Sequence, residues 1–134
     1  MFFLVIQSWP IWPGKIRCYF LKLGGVQVKA PCFIGANVSF DTLRPSYISI
    51  GERTVITSGT KIITHFYSPS DGYYYFGRVN IGKGCFIGTN TLIVNSVDIG
   101  DNSVVGAGSV VTKDIPSEEI WAGNPAKLIK KREV

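Results

Sequence analysis

The sequence predicts an all-β chain, built as a parallel β-helix of about four triangular coils. The main observation is a series of aliphatic residues that recur every six positions, which chance would produce in roughly one register in a few thousand. Glycine follows most of them, and a small residue recurs four positions after them. The aliphatic series is Ile81, Ile87, Ile93, Ile99, Val105 and Val111, and its glycines are Gly82, Gly88, Gly100 and Gly106.

The six-residue spacing fits an extended chain and does not fit an α-helix. At 100° per residue, successive members of the series would point in three directions on a helix and could form no apolar stripe. In an extended chain, residues an even number apart lie on one face, so each aliphatic side chain can point inward. Three six-residue segments close one triangular coil. Residues 81–98 and 99–116 are therefore predicted to be successive coils, about 4.8 Å apart along the axis.

Residues 1–25 are predicted to form an N-terminal cap. The first 20 residues are rich in Phe, Trp, Ile and Leu, but Pro10 and Pro13 interrupt them before the apolar run is long enough to span a bilayer. No charge precedes the apolar stretch and no small-residue cleavage site follows it, so no signal peptide is expected. Exposed ends of repeat folds need a cover, which favours the cap. The alternative is an amphipathic segment in peripheral contact with a membrane surface.

The β-helix is predicted to span residues 26–116, followed by a C-terminal tail of residues 117–134, all in one domain. Two segments interrupt the register, residues 41–49 and a longer loop at residues 66–80, and such insertions commonly build the binding face of a solenoid. In the tail, a short Lys-rich segment at residues 126–131 is predicted to be helical. The register reappears upstream at Val28, Ile34 and Phe40, and again at Ile50, Ile56 and Ile62.

Composition and charge narrow the function classes. The formal net charge is +5, and the basic C-terminus would attract a phosphorylated ligand, nucleic acid or an anionic membrane, unless it is only a solvated tail. No nucleic-acid partner is expected, because the aromatic run at residues 73–76 has no cation near it except Arg78. Three cysteines form no C-x-x-C pair and the chain has one histidine, so no metal is expected. The odd cysteine count suits a reducing compartment, which favours a cytoplasmic location, with the inner face of the membrane as the second expectation.

Two stretches near the C-terminus resemble a known family. Residues 99–116, IGDNSVVGAGSVVTKDIP, and residues 121–127, WAGNPAK, resemble the C-terminal signature of the hexapeptide-repeat acetyltransferases. The resemblance is to the galactoside, maltose and nodulation-factor enzymes and to polysaccharide O-acetyltransferases, and it covers residues 26–131. It implies a left-handed coil, a homotrimer with active sites between neighbouring prisms, and acetyl-coenzyme A as the donor. The expected reaction is acetyl transfer to a hydroxyl of a sugar or polysaccharide.

His65 is the candidate general base. The reaction needs a group that removes the hydroxyl proton while the oxygen attacks, and a neutral imidazole suits this role. His65 stands where the regular coil ends, which is where the resembling enzymes carry their catalytic histidine, although they have glycine in place of Thr64. A carboxylate or amide should orient the imidazole or hold the acceptor. Alignment with the family's substrate-contacting asparagine favours Asn37, and coil geometry favours Asp41 equally.

A groove of small residues is expected to hold coenzyme A. Thr89 and Ala107 lie one coil apart, so they stack and leave room for the pantetheine arm, although small residues also simply fit a tight turn. The relatives often carry arginine at the two last contact positions, so lysines here would bind phosphate as point charges. The resemblance implies coenzyme A contacts at Thr89, Ala107, Thr112, Lys113, Lys127 and Lys130.

The aromatic run in the 66–80 loop follows the candidate base directly. Flat rings with phenolic donors stack on sugars and bond to their edges, so acceptor contacts are predicted for Tyr74 and Tyr75. The alternative is that these rings are hydrophobic cover for the coil or for a neighbouring chain. Two other functions stay open, N-acetylation of an amino sugar or sugar nucleotide and a non-catalytic structural β-helix. A carbonic anhydrase on this helix would need about three histidines and is excluded.

Overall fold

The computed structural model describes residues 14–94 and 96–133. Most of the N-terminal aromatic stretch therefore lies outside the described residues. The membrane contact predicted for it as an alternative lies outside them as well. Within the described ranges, one α-helix and one 3-10 helix accompany sixteen short strands. No helix there is both long and apolar enough to cross a bilayer. The elements are α1 (Gly14–Leu23), β1 (Gln27–Val28), β2 (Phe33–Ile34), β3 (Ser39–Phe40), η1 (Pro45–Tyr47), β4 (Ile48–Ile50), β5 (Val55–Ile56), β6 (Lys61–Ile62), β7 (His65–Tyr67), β8 (Tyr74–Phe76), β9 (Val79–Ile81), β10 (Phe86–Ile87), β11 (Leu92–Ile93), β12 (Val97–Ile99), β13 (Val104–Val105), β14 (Val110–Val111), β15 (Glu119–Gly123) and β16 (Ala126–Lys131).

Strands from successive turns of the chain stack into three sheets. The first sheet has the order β1-β4-β9-β12, the second β2-β5-β10-β13-β15-β16, and the third β3-β6-β11-β14. All pairs in the first and third sheets are parallel. In the second sheet, Phe86 and Val104 are parallel partners one coil apart in sequence. The prediction of parallel six-residue segments stacked along an axis is confirmed.

The aliphatic series lines the interior of the stack. Ile87 and Val105 pair in the second sheet, Ile93 and Val111 pair in the third, and all four side chains are fully buried. Burying apolar surface contributes about 25 cal/mol per Å². Because a strand of the coil sends only one or two such side chains inward, a coil gains this stabilisation mainly from the coils above and below it.

Small polar residues and glycine form the corners between sheets. The buried hydroxyl of Thr54 donates to the Gly82 carbonyl at 2.6 Å, and that of Ser109 donates to the Gly106 carbonyl at 2.6 Å. These bonds satisfy polar groups that the tight corner takes out of water. At Gly88, an added Cβ would lie 2.4 Å from the Ala107 amide nitrogen, so no larger residue fits without moving the backbone.

The helix α1 packs on β1 and β2 at the first coil. Leu21 of the helix is buried, and Cys18 forms a disulfide with Cys32, with 6.4 Å between the Cα atoms. The sequence analysis did not predict this bond, because cysteines 14 residues apart are brought together only by the way the helix folds back. Cys85 is the one free thiol among the described residues, which include all three cysteines.

The two insertions have structure of their own. The first, predicted at residues 41–49, contains the 3-10 helix Pro45–Tyr47 and ends where β4 resumes the coil at Ile48. The second, predicted as a loop at residues 66–80, is an antiparallel hairpin of β7 and β8 that begins at His65. The coil resumes with β9 at Val79.

The predicted C-terminal helix is wrong. Residues 126–131 form β16, which pairs antiparallel with β15 as a hairpin, and β15 pairs parallel with β13. A six-residue helix would leave most of its terminal N–H and C=O groups without partners. The free edge of β15 offers backbone partners to the same residues, so the segment is extended despite its helix-favouring lysines.

Candidate active site

His65 and Asp41 meet at the corner that follows the third sheet. Asp41 comes directly after β3 and its amide donates to the Ile62 carbonyl of β6 at 3.0 Å. His65 begins β7, three residues after β6 ends. Because β3 and β6 are parallel partners, the residues that follow them leave the sheet side by side. The Nδ1 atom of His65 lies 2.5 Å from Oδ2 of Asp41.

Asp41 is held by four donors and little exposed to solvent. Its side chain is 4% exposed, against 33% for that of His65. Oδ1 accepts the Leu43 amide at 3.0 Å. Oδ2 accepts both the amide and the hydroxyl of Thr64, each at 2.9 Å, in addition to the imidazole. The carboxylate is therefore fixed before it meets the histidine ring.

These contacts determine which form of the histidine is present. Burial raises the pKa of the Asp41 carboxyl, but hydrogen bonds from Leu43, Thr64 and His65 outweigh it and leave the pKa below its ordinary value of 3.8. At neutral pH the carboxylate is ionised and can only accept, so Nδ1 of the imidazole carries a proton. In neutral His65 the lone pair is then on Nε2, which is the atom able to take a proton from an acceptor.

The sequence analysis noted Thr64 only as a departure from the family pattern. The structure gives it a contact: its side chain is fully buried and its hydroxyl bonds to Asp41. The signal available in the sequence was the substitution itself, since threonine introduces a donor where glycine has none. Asn37 takes no part in this group. It is exposed in the turn between β2 and β3, with a φ of 56° that asparagine adopts more readily than most residues.

The hairpin separates the two predicted acceptor tyrosines. One face of the hairpin carries two cross-strand pairs, His65 with Phe76 and Tyr67 with Tyr74. The other face carries the pair of Phe66 with Tyr75. The ring of Tyr74 lies 6.3 Å from the imidazole, so it borders the candidate base. Tyr75 stacks on Phe66 at 5.3 Å and its hydroxyl donates to Asp71. Of the two, only Tyr74 is positioned to meet an acceptor at His65.

The predicted coenzyme A positions divide between two corners of the prism. Thr89 and Ala107 follow β10 and β13 of the second sheet, and the Gly108 amide donates to the Thr89 carbonyl at 2.8 Å, so the predicted stacking is present. Thr112 and Lys113 follow β14 of the third sheet, at the same corner as His65. The third sheet lies between the two groups.

The basic residues of the tail extend the first of these corners. Lys127 on β16 is opposite Ala122 on β15, and Ala122 packs over Gly106. Lys130 is opposite Ile120, further along the same strand. Both lysines are exposed. A smooth wall with a cation beside it fits a pantetheine arm and a phosphate.

Metal chemistry has no site in the part of the chain that the structure describes. There, no three His, Cys, Asp or Glu side chains are grouped so that they could hold an ion. A concave surface runs along the first sheet, past Ser49, Asn80 and Asp98, and none of the predicted site residues lines it. We therefore take the hydrogen-bonded corner at His65 as the candidate active site, since reactive groups converge there.

Comparisons with known proteins agree with this fold. Residues 78–113 match the family model described as the hexapeptide repeat of succinyl-transferase. Over 106 residues the chain is 39% identical to the "Putative acetyltransferase YvoF" of Bacillus subtilis (strain 168), covering 75% of this chain and 60% of that protein. It is 34% identical over 100 residues to the galactoside O-acetyltransferase of Escherichia coli (strain K12), covering 71% of this chain and 49% of that enzyme.

The chain thus spans about half to three fifths of the length of these curated relatives. Among solved structures, it is similar to a maltose O-acetyltransferase from Clostridium difficile 630, with a TM-score of 0.76 and 26% identity. That similarity covers 98% of this chain and 83% of the other.

Proposed function

We propose that the chain is a hexapeptide-repeat acetyltransferase and that it transfers an acetyl group from acetyl-coenzyme A to a hydroxyl of a sugar or polysaccharide. The observation that carries the proposal is the bond between His65 and the buried Asp41. It leaves a lone pair on Nε2 of a side chain that is 33% exposed at the end of a coil. The resembling enzymes use a histidine at this position.

In the proposed mechanism, Nε2 of His65 removes the proton of the acceptor hydroxyl as its oxygen attacks the thioester carbonyl. Asp41 holds the ring in the tautomer that allows this and stabilises the imidazolium that forms. The imidazolium then returns its proton to the departing sulfur. Acetyl-coenzyme A supplies the acetyl group as a thioester, and the products are the acetyl ester and free coenzyme A.

We propose that the chain forms a homotrimer with a left-handed coil, and the division of the coenzyme A positions between two corners supports an active site shared between copies. In one chain, the wall at Thr89 and Ala107 and the base at His65 are at different corners, separated by the third sheet. A second copy placed against that sheet would bring its own wall beside this chain's base. We propose that the active site is completed in this way by neighbouring subunits.

A thiol-release assay tests the proposed function. The purified protein is incubated with acetyl-coenzyme A and panels of sugars, amino sugars, nucleotide sugars and polysaccharide fragments, and free coenzyme A is titrated. Ester formation on a hydroxyl supports O-acetylation. Amide formation on the amino sugars alone would show that the enzyme is an N-acetyltransferase that uses the same base. If no compound causes thiol release, the enzymatic proposal is contradicted.

A further inference from the structure

Two arginines lie close to aromatic rings of the two insertions, and one of these rings neighbours the imidazole of His65. The guanidinium carbon of Arg44 is 4.8 Å from the centre of the Phe76 ring, and Phe76 is the cross-strand partner of His65, with ring centres 6.3 Å apart. The guanidinium carbons of Arg44 and Arg78 lie 5.9 Å and 4.6 Å from the centre of the Tyr47 ring. We call these four residues the arginine–aromatic cluster.

Both insertions of the coil contribute to the cluster. Arg44 precedes the 3-10 helix of the first insertion, and Tyr47 ends that helix. Phe76 and Arg78 come from the end of the second insertion. Ile48 pairs with Val79, so Tyr47 and Arg78, which precede this pair, are brought together by the sheet. The position of the cluster beside His65 is therefore set by the coil and not by a flexible tail.

The cluster has cationic groups without nearby anions. Among residues 14–94 and 96–133, no carboxylate forms an ion pair with Arg44 or Arg78, whereas Arg53 pairs with Glu52 at 3.3 Å. The acidic groups on the two insertions are already bonded: Asp41 to its four donors, and Asp71 to the Tyr75 hydroxyl and the Tyr73 amide. Both arginines are exposed to solvent.

A guanidinium in contact with a ring carries its N–H donors in its own plane, where they can bind a carboxylate or phosphate through two parallel bonds. We propose that Arg44 and Arg78 form a subsite for an anionic group on the acceptor, so that the acceptor is a carbohydrate with a carboxylate or a phosphate. This inference rests on the proposed function, because it assigns the subsite to the acceptor of the His65 reaction.

Matched pairs of acceptors test the subsite. Acetyl transfer is measured with glucuronic acid and its neutral methyl ester, and with glucose 1-phosphate and methyl glucoside. The wild type should show a kcat/KM about tenfold or more higher for the charged member of at least one pair. Arg44→Gln and Arg78→Gln should each raise KM for that member about tenfold and leave KM for the neutral member unchanged. The pair that discriminates identifies carboxylate or phosphate.

Arg53→Gln is the matched control, because it removes an exposed arginine from the turn between β4 and β5. It should change KM for neither the charged nor the neutral acceptor. Equal kinetics for both members of both pairs would overturn the inference. So would arginine variants that lower transfer to charged and neutral acceptors alike, or that change the oligomeric mass, since the cluster would then serve folding or a subunit contact.

If no compound is acetylated, saturation-transfer NMR of the same four compounds with the coenzyme A-bound protein tests whether the subsite binds an anionic sugar. Contact by a charged compound that is lost in the Arg44→Gln/Arg78→Gln double variant supports the subsite even where the proposed reaction fails. Contact by neither charged compound contradicts the subsite.

Discussion

At the scale of single residues, the candidate site depends on the order in which its groups are fixed. Thr64 and Leu43 hold Asp41, and Asp41 holds His65. Each step uses a donor whose position the coil already sets, so the imidazole is oriented without a bound substrate. This preorganisation is what a general base needs in order to act at low cost in reorganisation.

Replacement of the base tests its role directly. We expect His65→Ala to lower kcat by about a hundred- to ten-thousandfold, the usual contribution of a positioned base. Binding of coenzyme A, measured by calorimetry, and the thermal unfolding midpoint should stay near the wild-type values, because Asp41 keeps its bonds to Leu43 and Thr64. Turnover close to wild type would remove His65 from the mechanism.

Asp41→Asn should be nearly as harmful to turnover. The amide can donate to Nδ1 of His65, which favours the tautomer with the proton on Nε2 and leaves no lone pair for the acceptor. By analogy with other histidine–carboxylate pairs, we expect kcat to fall by as much as about 10⁴. Nearly unchanged kcat would mean that Asp41 serves only the fold.

The same carboxylate makes stability depend on pH. Because the pKa of Asp41 is lowered in the folded protein, the ionised group stabilises the fold at pH values above 3.8, and this contribution is lost as the pH falls through the folded-state pKa. The difference in Tm between wild type and Asp41→Asn should therefore be constant above about pH 5 and shrink below about pH 4. Calorimetry across this range measures it, and a difference that grows in acid would contradict the lowered pKa.

At the scale of elements, the two ends of the coil are held differently. The helix α1 is fixed at the first coil by packing and by the Cys18–Cys32 disulfide. The last regular strand, β14, is followed by the β15–β16 hairpin, which extends the second sheet. One end therefore depends on the redox state of the protein and the other on backbone hydrogen bonds.

Thiol titration tests the disulfide. Burial raises the pKa of the Cys85 thiol, so the native protein should react slowly with a thiol reagent. Denatured without reductant, the chain should release one equivalent of thiol, and three after reduction. Three equivalents before reduction would show that Cys18 and Cys32 are not bonded in solution. Cys85→Ser is the control, since it should remove the single unreduced equivalent.

The lysines of β16 should serve coenzyme A and not the acceptor. We expect Lys127→Gln and Lys130→Gln to raise KM for acetyl-coenzyme A, by about tenfold at most for each lost charge-assisted bond, with little change in KM for the acceptor. Lys113→Gln at the other corner should behave in the same way if neighbouring subunits complete the site. Lys29→Gln, in the turn after β1, is the control. A change confined to the acceptor's KM would assign the lysines to another ligand.

Sequence alone predicted the parts of this fold that repeat. The six-residue series was sufficient to place the coil strands that carry it, between Val28 and Val111, because burial of an aliphatic side chain in each segment leaves a direct trace in the sequence. The conformation of residues 126–131 was not predictable in this way, because the edge of β15 decides it. For the same reason, the sequence did not decide whether Asn37 or Asp41 supports His65. The answer depends on which of the two follows a strand that pairs with β6.

The arginine–aromatic cluster shows the limit most clearly. Within the predicted loop at residues 66–80, the sequence offers Arg78 as the one cation beside the aromatic run. Arg44 reaches Phe76 from the other insertion, 32 residues earlier in the chain. A contact of this kind follows from the pairing of β4 with β9 and leaves no local pattern.

At the scale of the whole molecule, the main expectation is assembly. A narrow prism whose coil strands bury only one or two side chains each has little core for its 134 residues, and packing against further copies would add to it. Light scattering at micromolar concentration should give about three times the chain mass of 14.7 kDa. A monomer mass would contradict the trimer and the shared active site together.

Mixed assemblies test whether the site is shared. Ala107→Trp should block the coenzyme wall without disturbing the core, since this side chain is exposed. Co-refolding it with the His65→Ala chain should restore part of the activity that neither variant has alone, because one interface can then combine an intact wall with an intact base. No recovery in a trimer of mixed chains would place the whole site within one subunit.

The β16 strand also affects whether another molecule can add to the edge of the second sheet. A stack of parallel strands is in principle endless, since its last coil presents open backbone groups on which another molecule could add, as in fibre growth. In the second sheet, α1 packs on β2 at one edge, and the antiparallel β16 lies at the other. Reversing direction breaks the parallel template, and the charges of Lys127, Lys130 and Lys131 repel an identical strand. The C-terminal hairpin would thus act as a terminator of polymerisation as well as a support for the coenzyme wall.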